Sequence, residues 1–329
     1  MRQVPVGGTG SSVGAIGLGT NNFGWRLDAA EVGQLIDECE ELGVDFLDTA
    51  DVYGEGQSEE YIGRALEGRR ERFFIATKVG LPWEDGSRPG GLSPDYIINS
   101  VHGSLRRLRT DYVDLLQLHA PDDTTPMEDT YEALNSLVEE GSVRFIGCSN
   151  FMAWEMVEWI LAAKAQGWPW FSTVQCEFSM LTRDAETEML PGCRRHDVTL
   201  IPYRPLAQGF LTGKYLQGEA VPDDTRLGYQ PAARDLRLTP FNFRALDTVR
   251  EVAAELGCTT GGLAIAWLLT MDQVGPVIAG ASRLEQLREN AAAADIVIPQ
   301  EAMSKLAECL PPVQGGAVAP PHMRTTSEG

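Results

Sequence analysis

The chain has 329 residues, 43% of them hydrophobic, and a formal net charge of −20, enough apolar content for one barrel-sized core or two ordinary domains. That sign of charge, with no Lys/Arg cluster standing out, argues against nucleic acid or an anionic membrane as a partner. No stretch reaches the ~18 to 20 unbroken apolar residues of a membrane helix, and MRQVPVGGTGSS lacks the apolar core and cleavage site of a signal peptide, so a soluble cytoplasmic protein is expected.

The opening VPVGGTGSSVGAIGLG suggests a short hairpin ahead of the first main strand, closing a barrel floor. From residue 16 to 290, eight short apolar runs then alternate with segments of helical period: AIGLGTNNF, VDFLDTA, FFIATKVG, YVDLLQLHA, VRFIGCSN, STVQCEF, TLIPYRPL and PVIAGAS. Residues 28–42 place Val32, Leu35, Ile36, Cys39 and Leu42 on one helix face, and residues 94–108 do the same with Ile97, Val101, Leu105 and Leu108. Ser93-Pro94 reads as a helix start, and Thr125-Pro126-Met127-Glu128 and Ser282-Arg283-Leu284-Glu285 as capping boxes. Gly257 should close the helix that carries Phe243, Leu246, Val249 and Leu256. Residues 213–240 read as a long polar loop, a length usually tied to function or mobility, and the Pro/Gly-rich stretch 310–329 as a loosely ordered tail.

Eight strand-then-helix units with no GxGxxG after a strand fit an α/β fold of the (β/α)8 TIM-barrel type, with an N-terminal hairpin and a long loop after strand seven. No linker divides the chain, so one domain over 1–329 is expected. The six cysteines form no CxxC pair, which suits buried thiols in a reducing compartment, and four histidines make a multi-His metal site improbable.

In such a barrel the reactive groups gather where strands end. Residues 48–60, DTADVYGEGQSEE, place Asp48 and Tyr53 just after strand two, while Lys78 ends strand three and His119 ends strand four. A phenol near its ordinary pKa of ~10 is a poor acid at neutral pH, but a nearby cation favours the phenolate. At ~4 Å and an effective dielectric of ~20, Lys78 would supply on the order of 4 kcal/mol, roughly three pKa units before opposing effects. Asp48 would reduce that effect while keeping a partly buried lysine protonated. Taken singly, each residue could equally be a paired charge or a packed side chain; four of them at three successive strand ends point to a site.

DFLDTADVYGEGQSEEYIGRAL, IATKVG, DLLQLHAPD, VRFIGCSN, VQCEFSML, YRPLAQGFLTGKY and IAGASRLEQLRENAAA, in this order across nearly the whole chain, resemble the successive motifs of the aldo-keto reductase superfamily. The GKY loop and EQLxEN helix are most similar to its branch of bacterial reductases and potassium channel β-subunits. The resemblance implies reversible hydride transfer between a nicotinamide cofactor and a carbonyl or alcohol, with Tyr53 as general acid, Lys78 and Asp48 tuning it, and His119 orienting the carbonyl oxygen. It further implies that Ser149, Asn150 and Gln175 hold the carboxamide, that Tyr203 stacks on the nicotinamide, and that Thr20 and Asn21 lie near that end. Lys214 and Arg226 would clasp the pyrophosphate. Ser282 and Arg283 would meet the 2′-phosphate at a helix N-terminus, and Gln286 and Asn290 the adenosine. Asp48, Pro205, Leu206, Gly280 and Glu289 complete the implied cofactor contacts.

Two positions depart from the pattern. Arg204 stands where many relatives have serine, so it would meet the pyrophosphate as a charge or turn toward substrate. Gln286 stands where other branches carry a phosphate-binding arginine, which weakens the case for NADP; NADPH is still favoured over NADH. Trp25, Trp83, Phe151, Phe178 and Met180 follow strand ends and are expected to line an apolar cleft, suited to aldehydes, ketones or ring-containing carbonyls more than to charged sugars. A homo-oligomer is compatible with the chain. The rival readings are an NADP-binding regulatory subunit with slow turnover and a Schiff-base aldolase using Lys78.

Overall fold

Parallel strands covered on both faces need near-continuous apolar runs, and the runs noted above supply them. The structure, a computed structural model, describes residues 1–311; from 312 onward the expected loose tail lies outside the described residues. A two-stranded antiparallel hairpin, β1 (Gln3–Pro5) and β2 (Ser12–Gly14), comes first. Eight parallel strands follow: β3 (Ile16–Gly19), β4 (Phe46–Asp48), β5 (Phe74–Val79), β6 (Val113–Leu118), β7 (Val143–Ser149), β8 (Thr173–Glu177), β9 (Thr199–Tyr203) and β10 (Val277–Gly280). They pair in sequence order, and β10 closes on β3 to form the barrel.

Helices wrap the outside: α1 (Ala29–Leu42), α2 (Gln57–Ala65), α3 (Pro94–Leu108), α4 (Met127–Glu140), α5 (Ala153–Gln166), α6 (Met189–His196), α7 (Arg226–Tyr229), α8 (Pro231–Arg237), α9 (Pro240–Leu256), α10 (Thr260–Leu268), α11 (Leu284–Ala292) and α12 (Gln300–Cys309). The expected apolar faces are the buried ones. Val32, Leu35, Ile36 and Cys39 of α1 and Ile97, Val101 and Leu108 of α3 lie against the barrel. The hairpin sits under the N-terminal ends of the strands, where the Gly7 amide donates to Thr199 Oγ1 at 2.6 Å. Among the described residues no helix is long and apolar enough to cross a membrane.

Helix ends are less regular than expected. Gly257 closes α9 in the left-handed region, φ 67°, as the pattern requires. The two expected capping boxes do not form. Thr125 Oγ1 donates to Asp122 Oδ2 at 2.8 Å, which leaves Pro126 at the start of α4 without a side-chain cap. The Ser282 amide and hydroxyl both donate to Gln286 Oε1, so α11 begins at Leu284 with Arg283 before it. A full box exists instead at α1, where Asp28 Oδ1 accepts from the Ala30 and Glu31 amides and Glu31 reaches back to the Asp28 amide. Residues 213–240 are not one open loop either: they hold α7 and α8, and Arg237 of α8 is 3% exposed.

A packed aromatic group outside the barrel stiffens the α4–α5 side. Phe171 is fully buried and stacks on Trp159 at 5.6 Å between centroids, with the Phe151 ring edge-on to both. Phe171→Ala is expected to lower stability by ~3 to 5 kcal/mol, seen as a lower urea midpoint at unchanged slope; a midpoint at the wild-type value would contradict this packing role.

Candidate active site

The centre of the site is an ammonium with no access to water. Lys78, near the C-terminal end of β5, is fully buried, with Nζ 2.8 Å from both Asp48 carboxylate oxygens, 2.8 Å from the Thr49 carbonyl and 3.3 Å from the Tyr53 hydroxyl. Gln175 Nε2 donates to Asp48 Oδ1 at 2.7 Å. The carboxylate thus faces donors from β5 and β8 at once, and its charge is matched as a buried charge must be.

Tyr53 is aimed by the β4–α2 turn. Gly54, Glu55 and Gly56 all adopt positive φ, 57°, 54° and 89°, and the non-glycine Glu55 marks a backbone held by its surroundings. Behind the turn a buried hydroxyl chain fixes its ends: Ser58 Oγ lies 2.9 Å from both Thr20 Oγ1 and Thr49 Oγ1, and Thr20 Oγ1 donates to the Asp48 carbonyl. The His119 ring stands edge-on to Tyr53, 5.9 Å between centroids. Asp48, Tyr53, Lys78 and His119 therefore lie together as one cluster.

Burial pushes the Tyr53 phenol above its ordinary range; Lys78 pulls it down, Asp48 pushes it up again and Arg204 pulls it down. The net rise corrects the expected lowering by Lys78, because loss of water outweighs the cation. For Lys78, burial works against the ammonium, but facing Asp48 and Tyr53 overcome it and leave its pKa raised. At neutral pH the lysine is charged and the phenol holds its proton. A charged lysine locked by a carboxylate is not the neutral amine a Schiff base needs.

Beside this quartet lies a second linked set on β7, β8 and β9. Tyr203 OH donates to Asn150 Oδ1 at 2.7 Å, and Asn150 Nδ2 donates to the His119 carbonyl at 2.8 Å and to Ser149 Oγ at 3.1 Å. Asn150 makes these bonds from a left-handed backbone, φ 63°. With Gln175 next to it, the set offers hydroxyl and amide groups at adjacent strand ends and a half-buried aromatic ring at their side, a donor and acceptor collection that fits a carboxamide on a flat heteroaromatic ring.

The remaining expected residues fall into four groups. Gly280, Ser282, Arg283 and Glu289 are exposed at the end of β10 and along α11, Gln286 is tied to Ser282, and Asn290 is buried beneath them with Nδ2 3.5 Å from the Gly280 carbonyl. Arg226 Nη2 reaches Asn21 Oδ1 at 3.3 Å, Lys214 is exposed, Pro205 is buried and Leu206 half-buried. Arg204, at φ 54°, binds Glu177 Oε2 at 2.8 Å, and buried Arg237 holds the other Glu177 oxygen. Thr20 turns its hydroxyl to the frame behind the β4–α2 turn.

The apolar lining needs correction. Phe151 is 2% exposed inside the Trp159–Phe171 group, Phe178 is fully buried edge-on to Trp267, and Met180 is fully buried. These three turn to packing against the helices and present no open face. Trp25 is 54% exposed, with Arg26 between it and Tyr229, and Trp83 is half-buried between Arg88 and Arg107. Sequence reasoning missed Glu177–Arg237, 60 residues apart, and the buried Asp51–Glu59 pair, whose only prior sign was the density of acids in residues 48–60.

The Aldo/keto reductase family model matches residues 15–311. The chain belongs to this family. It is 36% identical to a probable voltage-gated potassium channel subunit beta of Arabidopsis thaliana, over 90% of this chain and 92% of that protein. It is 34% identical to an uncharacterized oxidoreductase of Bacillus subtilis, over 94% and 96% of the two chains. It is also 33% identical to an NADH-specific methylglyoxal reductase of Escherichia coli, over 90% and 94%. This aldo/keto reductase is an NAD(P)H-dependent oxidoreductase acting on small carbonyl or alcohol molecules.

Because Lys78 is the counter-charge of a buried carboxylate, Lys78→Met strands Asp48 and is expected to cost about 3 to 5 kcal/mol of stability at neutral pH, measured by urea unfolding. Lys78→Met together with Asp48→Leu should recover most of that loss; no recovery would contradict the pairing.

Proposed function

We propose that the protein reduces an aldehyde or ketone to the alcohol with NADPH, Tyr53 acting as general acid. The observation that carries this reading is the Tyr53 hydroxyl 3.3 Å from the Lys78 ammonium, which itself sits on Asp48. A reduced nicotinamide bound against Tyr203 would supply the hydride. Ser149, Asn150 and Gln175 would hold its carboxamide and fix which ring face meets the substrate. As negative charge builds on the carbonyl oxygen, Tyr53 gives up its proton to that oxygen and the Lys78 ammonium stabilises the phenolate left behind. His119, edge-on to Tyr53, orients the same oxygen. In the oxidative direction the phenolate takes the proton back.

The Arabidopsis thaliana relative is named as a probable channel subunit, and a slow cofactor-binding subunit is the rival reading. The complete quartet, with its charges balanced and its phenol in place, supports turnover. The preference for NADPH rests on exposed Arg283 and Ser282 at the N-terminal end of α11, where amides and dipole favour an anion; the NADH-specific relative sets the alternative.

Tyr53→Phe should lower kcat at least ~100-fold with NADPH binding retained, measured by cofactor oxidation over a panel of aldehydes, quinones, sugars and ketones together with fluorescence titration of the cofactor. Wild-type turnover in the variant would exclude Tyr53 as the acid. Arg283→Ala should raise the Kd of NADPH about tenfold with little change for NADH; equal losses would place the 2′-phosphate elsewhere.

A further inference from the structure

Two residues before Tyr53, on the same turn, Asp51 is completely buried, and no side chain donates a hydrogen bond of normal geometry to either of its carboxylate oxygens. A carboxylate so placed is costly while ionised unless an opposite charge is close by. The groups around it come from four places. The Val52 amide belongs to its own turn. Glu59 of α2 is equally buried, but it is held by Arg107 Nε at 2.7 Å and by Thr77 Oγ1 at 2.5 Å. Arg107 and Tyr96 come from α3. From the loop between β5 and α3, residues 80–93, Arg88 brings Nη1 to 3.5 Å from Asp51 Oδ2.

That loop leaves β5 just after Lys78 and carries Trp83. The Arg88 guanidinium lies 5.1 Å from the Trp83 ring centroid and 5.2 Å from that of Tyr96, and the Trp83 amide donates to the Arg88 carbonyl at 3.0 Å. Arg88 and Trp83 are thus linked through both side chain and backbone. Arg107 is committed to Glu59, so the α2–α3 frame stays in place whatever charge Asp51 carries; Arg88 has 22% of its side chain exposed and, once Asp51 is neutral, keeps only the neutral Ser100 hydroxyl of α3 as a hydrogen-bond partner there, a contact water can replace.

We propose that Asp51 and Arg88 form a titratable fastener that positions Trp83 as the aromatic wall of the substrate site, setting the preference for ring-bearing over small carbonyls as pH crosses neutrality. This rests on the reductase reading of the same pocket. Asp51 and Arg88 act as positioning residues; neither touches the reacting atoms. Burial pushes the Asp51 carboxyl up to about 7, Glu59 adds to the rise, and Arg88, Arg107 and the Val52 amide oppose it. Above neutrality the carboxylate is ionised and draws Arg88 in; below, it is protonated and the attraction lapses. The 3.5 Å separation, longer than the 2.7 Å bond between Arg107 and Glu59, suits a contact that opens.

The test compares kcat/KM for 2-naphthaldehyde and for propanal, with NADPH, between about pH 6 and about pH 8. In the wild type the aromatic-to-small ratio should rise about tenfold with pH, carried by KM of the aromatic substrate. Asp51→Asn and Arg88→Gln should hold the ratio flat at the acid value, whereas a merely structural role would shift it equally at every pH and leave the transition in place. Hydrogen–deuterium exchange of residues 80–93, corrected for the intrinsic pH dependence, reads the same device without catalysis: protection should increase with pH in the wild type and stay level in both variants. If Asp51→Asn does not fold, Arg88→Gln, at a partly exposed position that keeps an amide for hydrogen bonding, carries the comparison. A flat wild-type ratio with flat exchange, or a transition that survives in either variant, overturns the proposal. Should no carbonyl be reduced at any pH, the reductase reading fails, and the exchange arm still decides the fastener.

Discussion

An ammonium removed from water must find opposite charge or lose its proton, and at the top of this barrel Lys78 finds Asp48. The pair can exist only because β4 and β5 are neighbours in register, with Asp48 opposite Ala76 and Lys78 two residues further on. Around it everything else is arranged as second partner. Gln175 occupies one Asp48 oxygen from across the barrel, the Thr49 carbonyl takes one lysine proton, and the Tyr53 hydroxyl lies against the ammonium. Removing either charge leaves the other stranded, so site and stability are coupled at this point.

The same pair explains the protonation states that the chemistry needs. Burial raises the pKa of the half-buried Tyr53 phenol, and the same loss of water strengthens its attraction to Lys78 once the proton has left. On the proposed mechanism, a proton held at rest would pass only to an oxygen that is gaining charge. The hydrogen-bond chain from Tyr203 through Asn150 to the His119 carbonyl ties the proposed surface for the flat cofactor ring to the residue proposed to orient the substrate. Tyr203 and the strand end that carries His119 are thereby held in one frame.

The barrel could be read from the chain because strands buried on both faces are written as unbroken apolar runs, and each of the eight runs is a strand. The quartet was legible for a related reason: polar residues directly after such runs have nowhere to sit but the rim. What could not be read was competition. Thr125 and Ser282 look like helix caps, but Asp122 and Gln286 offer their hydroxyls other partners. Phe151, Phe178 and Met180 follow strand ends as lining residues would, yet an aromatic there can turn outward, and Trp159 and Trp267 supply the surface. The direction of the Tyr53 shift was misjudged because spacing reveals which charge is near and says nothing of how much water has been lost. Arg237 and Glu177 meet across the β9–α9 segment, a contact with no local pattern.

The central claim is that the Tyr53 phenol, beside the Lys78–Asp48 pair, keeps its proton through the neutral range. Carbon-13 NMR of protein labelled at the tyrosine ring carbon bearing the hydroxyl, with the Tyr53 signal assigned by its loss in Tyr53→Phe, measures this directly. The account predicts a midpoint above the ~10 of a free phenol. A midpoint clearly below that value would show that the lysine governs the phenol more than burial does, and would contradict the account.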